Sequence, residues 1–207
     1  MIIRMITSGP FDTNCYVLCC EQTHEGIVID PAFDTNQLKT LIKDLSLTIK
    51  FILLTHGHFD HCGGLAPLKE ALKDIPIAIH PDDLPLVATA RQQAGLYGIR
   101  ISDVPLPDTF IHEGDLFSFG KYTLKALHTP GHTPGGVCFY TDEYLFAGDT
   151  LFQRSIGRTD LPGGNFQQLI SSIKNKLFTM HDFLTVYPGH GGGTTIGEEK
   201  QYNPYTG

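Results

Sequence analysis

Short apolar runs alternate with helical periodicities along this chain. Residues 2–6, 14–20 and 26–30 read as strands bounded by polar or glycine-bearing turns. Leu38, Leu41, Ile42 and Leu45 then recur at i, i+3, i+4 and i+7, and Asp34 with Gln37 resembles a capping box, so a helix follows. The run Phe51-Ile52-Leu53-Leu54 predicts a strand buried on both faces, and a helical stripe of Leu65, Leu68 and Leu72 starts behind Gly63-Gly64. After a short strand at 77–80, a stretch with Pro81, Pro85, Pro105 and Pro107 reads as one or two helices joined by irregular loops. Residues 109–127, broken at Gly114-Asp115 and Gly120-Lys121, look like successive short antiparallel strands, continued by 136–140 and 144–147. Asn165 with Gln168 opens a last helix with the apolar face Phe166, Leu169, Ile170, Ile173 and Leu177, and a strand at 183–187 follows.

Strands and helices in both halves predict an α/β (α+β) chain: two sheets packed on each other, helices outside, and functional loops at strand carboxyl ends. The length of 207 residues fits one domain over 1–207 with a substantial core. With 41% hydrophobic and 18% charged residues, the composition is that of a soluble globular protein. A formal net charge of −7, without Lys or Arg runs, argues against affinity for nucleic acid or anionic membranes. Arg4 interrupts the apolar start too early for a secretory signal, and no segment reaches membrane-spanning length, so a cytoplasmic location is expected. The sequence leaves the oligomeric state open. Cys15, Cys19, Cys20, Cys62 and Cys138 contain no C-x-x-C pair and are odd in number, so neither a thiolate zinc cage nor a disulfide framework is indicated. Cys62, beside the histidine cluster described next, is expected to pack rather than attack substrate.

The chemistry is concentrated in Thr55-His56-Gly57-His58-Phe59-Asp60-His61-Cys62-Gly63-Gly64, directly behind an apolar strand. Imidazoles and carboxylates packed this closely compete for protons unless a divalent cation gathers their lone pairs. Residues two apart in extended backbone project to one side, so His56 and His58 can close on one ion, while a turn after Gly57 lets Asp60 and His61 face another. His132 in Pro130-Gly131-His132, Asp149 in Gly148-Asp149-Thr150 and His190 in Pro188-Gly189-His190 each follow an apolar strand and are cushioned by glycine. Five His and two Asp exceed what one tetrahedral ion uses and suit two ions about 3.5 to 4 Å apart, bridged by a carboxylate and a hydroxide. His24, His80, His112, His128 and His181 lack that setting and are read as surface or packing residues. Imidazole and carboxylate donors accept several metals: zinc is expected first, with iron or manganese as alternatives.

H-x-H-x-D-H, followed in order by G-H-T-P-G-G, G-D-T-L-F and Y-P-G-H, resembles the metallo-β-lactamase superfamily over nearly the whole chain. Residues 155–160 and 195–204 resemble the short glyoxalase II-like hydrolases, or hydroxyacylglutathione hydrolases. The resemblance implies the metallo-β-lactamase fold, a four-layer αβ/βα sandwich. It implies one metal on His56, His58 and His132, a second on Asp60, His61 and His190, Asp149 bridging both, and Asp30 orienting a ligating imidazole from behind. The implied reaction is hydrolysis of an anionic small-molecule thioester, with S-lactoylglutathione or a related hydroxyacyl glutathione foremost. A metal-bridging hydroxide held by Asp60 and Asp149 would attack, and Arg154, Arg158 and Lys200 are candidates to attract the anionic carrier. The chain stops soon after His190, where full-length glyoxalase II proteins continue into a helical region that helps bind glutathione. An Asp at the bridging position, where many true β-lactamases have Cys, argues against antibiotic hydrolysis as the main task. The alternatives are a mononuclear-iron persulfide dioxygenase, a lactonase or phosphodiesterase of the same fold, and, last, a non-catalytic metal-binding protein.

Overall fold

Alternation along the buried strands decides the architecture. In the computed structural model, which describes residues 1–206, β1 (Ile2–Ser8), β2 (Thr13–Cys19), β3 (Glu25–Ile29), β4 (Thr48–Leu53), β5 (Ile77–Ile79) and β6 (Thr109–Phe110) form one sheet in that order. The strands that follow are β7 (Leu116–Phe119), β8 (Tyr122–His128), β9 (Val137–Tyr140) and β10 (Tyr144–Gly148), a separate hairpin of β11 (Leu151–Phe152) and β12 (Ser155–Ile156), then β13 (Thr185–Pro188) and β14 (Thr194–Thr195). They build a second sheet in the order β14-β13-β10-β9-β8-β7.

Successive strand side chains point to opposite faces, so a strand apolar at every position needs partners on both sides. On β2, Tyr16 and Leu18 enter the layer between the sheets while Val17 faces away; on β3, Ile27 and Ile29 are set against Val28 in the same manner. From the second sheet, Phe146 of β10 enters the shared layer and Leu145 and Ala147 face outward. The outer faces are covered by helices α1 (Thr35–Asp44), α2 (Phe59–Cys62), α3 (Leu65–Leu72), α4 (Leu84–Ala88), α5 (Ala90–Leu96), α6 (Phe166–Asn175) and α7 (Ile196–Tyr202). Leu38, Ile42, Leu65 and Leu68 cap the first sheet, and Leu169, Ile173 and Ile196 the second. The result is the expected αβ/βα sandwich of four layers. Asp34 caps α1 by accepting from the Gln37 amide, and Asn165 caps α6 by accepting from Gln168.

Several elements differ from the reading of the sequence. Thr109–Phe110 is no member of an antiparallel run: it pairs in parallel with β5 at the edge of the first sheet, and the second sheet begins only after Gly114. Phe183 is 90% exposed, and its strand starts two residues later at Thr185. Phe166, in the first turn of α6, is exposed as well, leaving Leu169 and Ile173 to make the buried face. The hairpin of β11 and β12 has strands of two residues each, too short to leave a period in the sequence.

Strand direction places the functional loops. β3, β4 and β5 run parallel to one another; β10 runs parallel to β13, and β8 shares their direction because both β8 and β10 lie antiparallel to β9. The carboxyl ends of these six strands meet at one rim of the sandwich. Among the described residues no helix is long and apolar enough to cross a membrane.

Candidate metal centre

From the first sheet, β4 delivers His56, His58, Asp60 and His61. His58 keeps an extended backbone and stands at the N-cap of α2, whose single turn carries Asp60 and His61 round to the other side. The turn expected after Gly57 is therefore a turn of helix starting at Phe59. From the second sheet, β8, β10 and β13 end just ahead of His132, Asp149 and His190. Glycine permits the approach: a Cβ on Gly189 would come within 2.2 Å of Asp149 Oδ1 and 2.8 Å of His61 Cε1.

The seven side chains converge. Donor atoms of His56, His58 and His132 lie within 4.8 Å of one another, as do those of Asp60, His61 and His190, and those of His56, His61 and Asp149. Asp149 spans both groups: Oδ1 is 3.4 Å from His61 Nε2, while Oδ2 is 3.5 Å from His132 Nε2 and 3.4 Å from His190 Nε2.

Hydrogen-bond partners behind the rings decide where the imidazole protons sit. His61 Nδ1 donates to Asp30 Oδ2 at 2.9 Å, His132 Nδ1 to the Arg158 carbonyl at 2.7 Å, and His190 Nδ1 to the Phe11 carbonyl at 2.9 Å. Thr55 Oγ1 donates to Asp30 and so accepts from His56 Nδ1. With those protons turned outward, lone pairs face inward. His58 Nδ1 stands 3.0 Å from His132 Nε2, and His61 Nε2 stands 3.3 Å from His190 Nε2. Two lone pairs at such separations repel unless a cation or a proton lies between them. His56 Nε2 and Asp149 Oδ1 are buried without any hydrogen-bond partner, a costly state for polar atoms in a native core. Orphaned, converging N and O donors fit a divalent metal, and these residues form metal-binding groups.

Without a cation the cluster polarises itself. Burial would depress His61 and His190, but the carboxylates of Asp149 and Asp60 outweigh it, with Asp30 adding to the effect on His61; His61 is held well above the ordinary imidazole range and His190 is pushed up to about 10. Burial lowers His56 well below that range and His58 to about 4, helped by the charge of neighbouring imidazoles. Burial would raise Asp60 and Asp149, yet the adjacent imidazoles, His61 first, hold both carboxyls below the usual value.

Other residues brace the loops. Asp30, expected to orient an imidazole, accepts from the Thr55 amide (2.8 Å), the Thr55 hydroxyl (2.6 Å) and His61. Asp83 went unnoticed in the sequence. It is fully buried and accepts from the Gly57 amide (2.9 Å), the Thr133 hydroxyl (2.7 Å) and the Gly135 amide (2.6 Å), joining the loop of His56 and His58 to that of His132. Thr13 Oγ1 donates to Asp60 Oδ2 at 3.1 Å, and the Asn14 side-chain amide donates to the carbonyls of Pro188 and Gly191, pinning the His190 loop to β2. A signal for these existed: Thr13 and Asn14 are polar residues in a strand buried throughout, and buried polar groups need partners.

The three expected substrate cations part company. Arg154 does not line the cavity beside the cluster; its guanidinium pairs with the buried Glu199 at 3.1 Å and lies over the Tyr202 ring. Lys200 is bound to Asp182 at 2.6 Å and to the Met180 carbonyl. Both side chains tie α7 to its neighbours, away from the cavity lining. Arg158 does line the cavity. Cys62 is fully buried, and burial, then the nearby Asp60 and Asp30, push its thiol pKa up, as suits a packing residue. His80 and His128 lie outside the cluster and stack at 4.0 Å, with Asp82 beside them.

His58, Asp60, His132, Asp149 and His190 form the floor of a cavity of about 570 Å³. Phe11, Phe59 and Tyr97, whose rings meet with centroids 5.5–5.8 Å apart, stand on its wall. Among the described lining residues there is no Ser, Cys or Lys, so the cavity holds no ready side-chain nucleophile of those kinds.

Comparison with known proteins agrees with this geometry. Residues 8–190 match the model of the metallo-beta-lactamase superfamily. The chain is 38% identical to the hydroxyacylglutathione hydrolase GloC of Haemophilus influenzae, over 99% of this chain and 98% of that protein. Among solved structures, BLEG-1 B3 metallo-beta-lactamase superposes with a TM-score of 0.91 at 37% identity, covering 99% of each chain. TTHA1623 in a di-iron-bound form superposes with a TM-score of 0.89 at 41% identity, covering 98% of this chain and 99% of that one.

Proposed function

The chain belongs to the metallo-β-lactamase superfamily, and within it we propose a dinuclear metal-dependent hydrolase of thioesters, with hydroxyacyl glutathiones such as S-lactoylglutathione as the first substrates to test. The observation that carries the reading is the arrangement of seven inward-facing donor residues, with two orphaned atoms among them, beside a cavity whose described lining holds no Ser, Cys or Lys. His56, His58 and His132 would hold one ion, Asp60, His61 and His190 the other, and Asp149 would reach both. Divalent ions at these positions supply Lewis acidity toward a carbonyl and lower the pKa of a water toward neutrality, and zinc, iron and manganese all suit the donors.

The remaining tasks fall to the protein itself. Asp60 lies at the cavity floor as a carboxylate held by the Thr13 hydroxyl, placed to accept a proton from water. Asp149, held ionised by the adjacent imidazoles, fixes the distance between the two triads. Asp30, Arg158 through its carbonyl, and Phe11 through its carbonyl lock three imidazoles in orientation, so little reorganisation is needed as charge develops on the substrate. A thiolate is a good leaving group and needs little acid assistance, which suits a cavity whose polar equipment is concentrated on the attacking side. The GloC relative supports a thioester; the likeness to a B3 metallo-beta-lactamase supports a second reading, attack on a β-lactam carbonyl.

Metal analysis of the purified protein, run alongside turnover of S-lactoylglutathione and of a chromogenic cephalosporin, tests both. The expected result is two metal ions per chain and thioester turnover that is lost in Asp149→Ala while the fold is retained. Metal-loaded protein that cleaves no thioester would end the first reading. One iron per chain with oxygen consumption on a persulfide would instead identify a dioxygenase.

A further inference from the structure

The walls of the cavity differ in kind from its floor. Apart from the ligand residues, Arg158 is the one charged side chain among the described lining residues, and it already forms a two-point pair with Asp160, Nε to Oδ1 at 2.8 Å and Nη2 to Oδ2 at 2.7 Å. Beside the phenol of Tyr97, the neutral polar side chains of the wall are Thr89 and Gln93, which are turned onto backbone: Thr89 donates to the Pro85 carbonyl, and Gln93 donates to the Leu86 carbonyl. What remains is aliphatic or aromatic, and much of it is exposed. Leu96 is 86% exposed, Tyr97 50% and Phe11 40%, side by side along the cavity. A contiguous apolar surface of this kind beside a reactive centre marks a binding site.

Glutathione carries two carboxylates and an ammonium, and this wall offers one guanidinium already shared with an acid. An alkyl or aryl group, by contrast, finds Phe11, Tyr97, Leu86 and Leu96 within one cavity continuous with the floor. We infer that the substrate carries an apolar alkyl or aryl substituent next to its scissile carbonyl, seated on the Phe11, Tyr97 and Leu96 wall, and that hydrophobic thioesters are therefore better substrates than S-lactoylglutathione. The inference rests on the thioester reading for its reaction, but the wall can be tested without any turnover.

The binding probe is a neutral thioether series that cannot be hydrolysed, S-methyl-, S-butyl- and S-hexyl-N-acetylcysteamine, titrated calorimetrically into the protein. Each methylene buried on the wall strengthens binding about fourfold. Leu96→Asp and Tyr97→Ser, both at exposed positions at the end of α5, flatten the series. The kinetic arms vary one side of the thioester at a time: acetyl, hexanoyl and phenylacetyl groups on N-acetylcysteamine, then lactoyl groups on glutathione and on benzyl mercaptan. The expected result is a rise in kcat/KM with apolar bulk on one side, which locates the group as acyl or thiol. Equal affinity across the thioethers, with S-lactoylglutathione the best thioester, overturns the inference and leaves the hydrolase reading standing. Graded binding without cleavage of any thioester does the reverse.

Discussion

Burial alone pushes His56, His58, His61 and His190 down, yet His61 and His190 are held above the ordinary imidazole range because the carboxylates of Asp149 and Asp60 stand within 3.3–3.6 Å of their Nε2 atoms. A nitrogen that holds a proton must release it before it can ligate. Metal loading of Asp60, His61 and His190 at neutral pH therefore releases protons and strengthens as the pH rises toward the value of about 10 for His190. His56 and His58, pushed down by burial, the latter to about 4, have none to release in that range. Calorimetry in buffers of different ionisation enthalpy checks this; binding of two metals with no proton release at pH 7 would show that the carboxylates do not govern the site. The residues that converge on the rim are legible in the sequence because each couples an apolar strand to a donor cushioned by glycine. Asp83 is not, because an acid at the start of a helix is ordinary, and no spacing distinguishes an exposed one from one that ties two loops. The partners of Arg154 and Lys200 are hidden for a related reason: the acids that pair with them, Glu199 and Asp182, come close only through the fold of α7 against its neighbours.

At the scale of elements, the loops after β4 and β8 belong to different sheets, and Asp83, in the connection after β5, is the tie between them. Replacing it by Ala leaves two backbone amides and a hydroxyl without their acceptor in a buried place. The expected loss of stability is about 3 kcal/mol, at the scale of an orphaned buried group or more. Metal affinity should fall at the triad of His56, His58 and His132, while Asp60, His61 and His190, braced from β2, α2 and β13, keep theirs. Urea unfolding and stepwise metal titration of Asp83→Ala measure the two effects, and unchanged affinity at both triads would remove Asp83 from any role in the site. Elements with a clear period, α1, α6 and the strands with fully apolar runs, are readable in advance because packing demands that period. α2 and β6 are not: one turn of helix and two residues of strand are defined by what they join, and neither is long enough to carry a pattern.

For the molecule as a whole, each metal triad draws from both sheets: His56 and His58 with His132, and Asp60 and His61 with His190, with Asp149 of the second sheet between them. Bound ions would thus act as clips across the rim, while the layer built on Phe139, Phe146, Ile27 and Ile29 joins the sheets below without them. The two contributions separate on chelation. The middle layer keeps the sandwich folded, so far-ultraviolet circular dichroism should hardly change. A ligand present at a thousandfold above its Kd adds about 4 kcal/mol to stability per site. At roughly 2–4 °C per kcal/mol for a chain of this size, stripping one tightly held ion lowers the Tm by about 10 °C and stripping two by more. Calorimetric scans before and after dialysis against a chelator, with restoration by each metal in turn, make the measurement. An unchanged Tm would mean that ring nitrogens 3.0 and 3.3 Å apart sit at the rim without strain, and the case for ions between them would fail at its physical root.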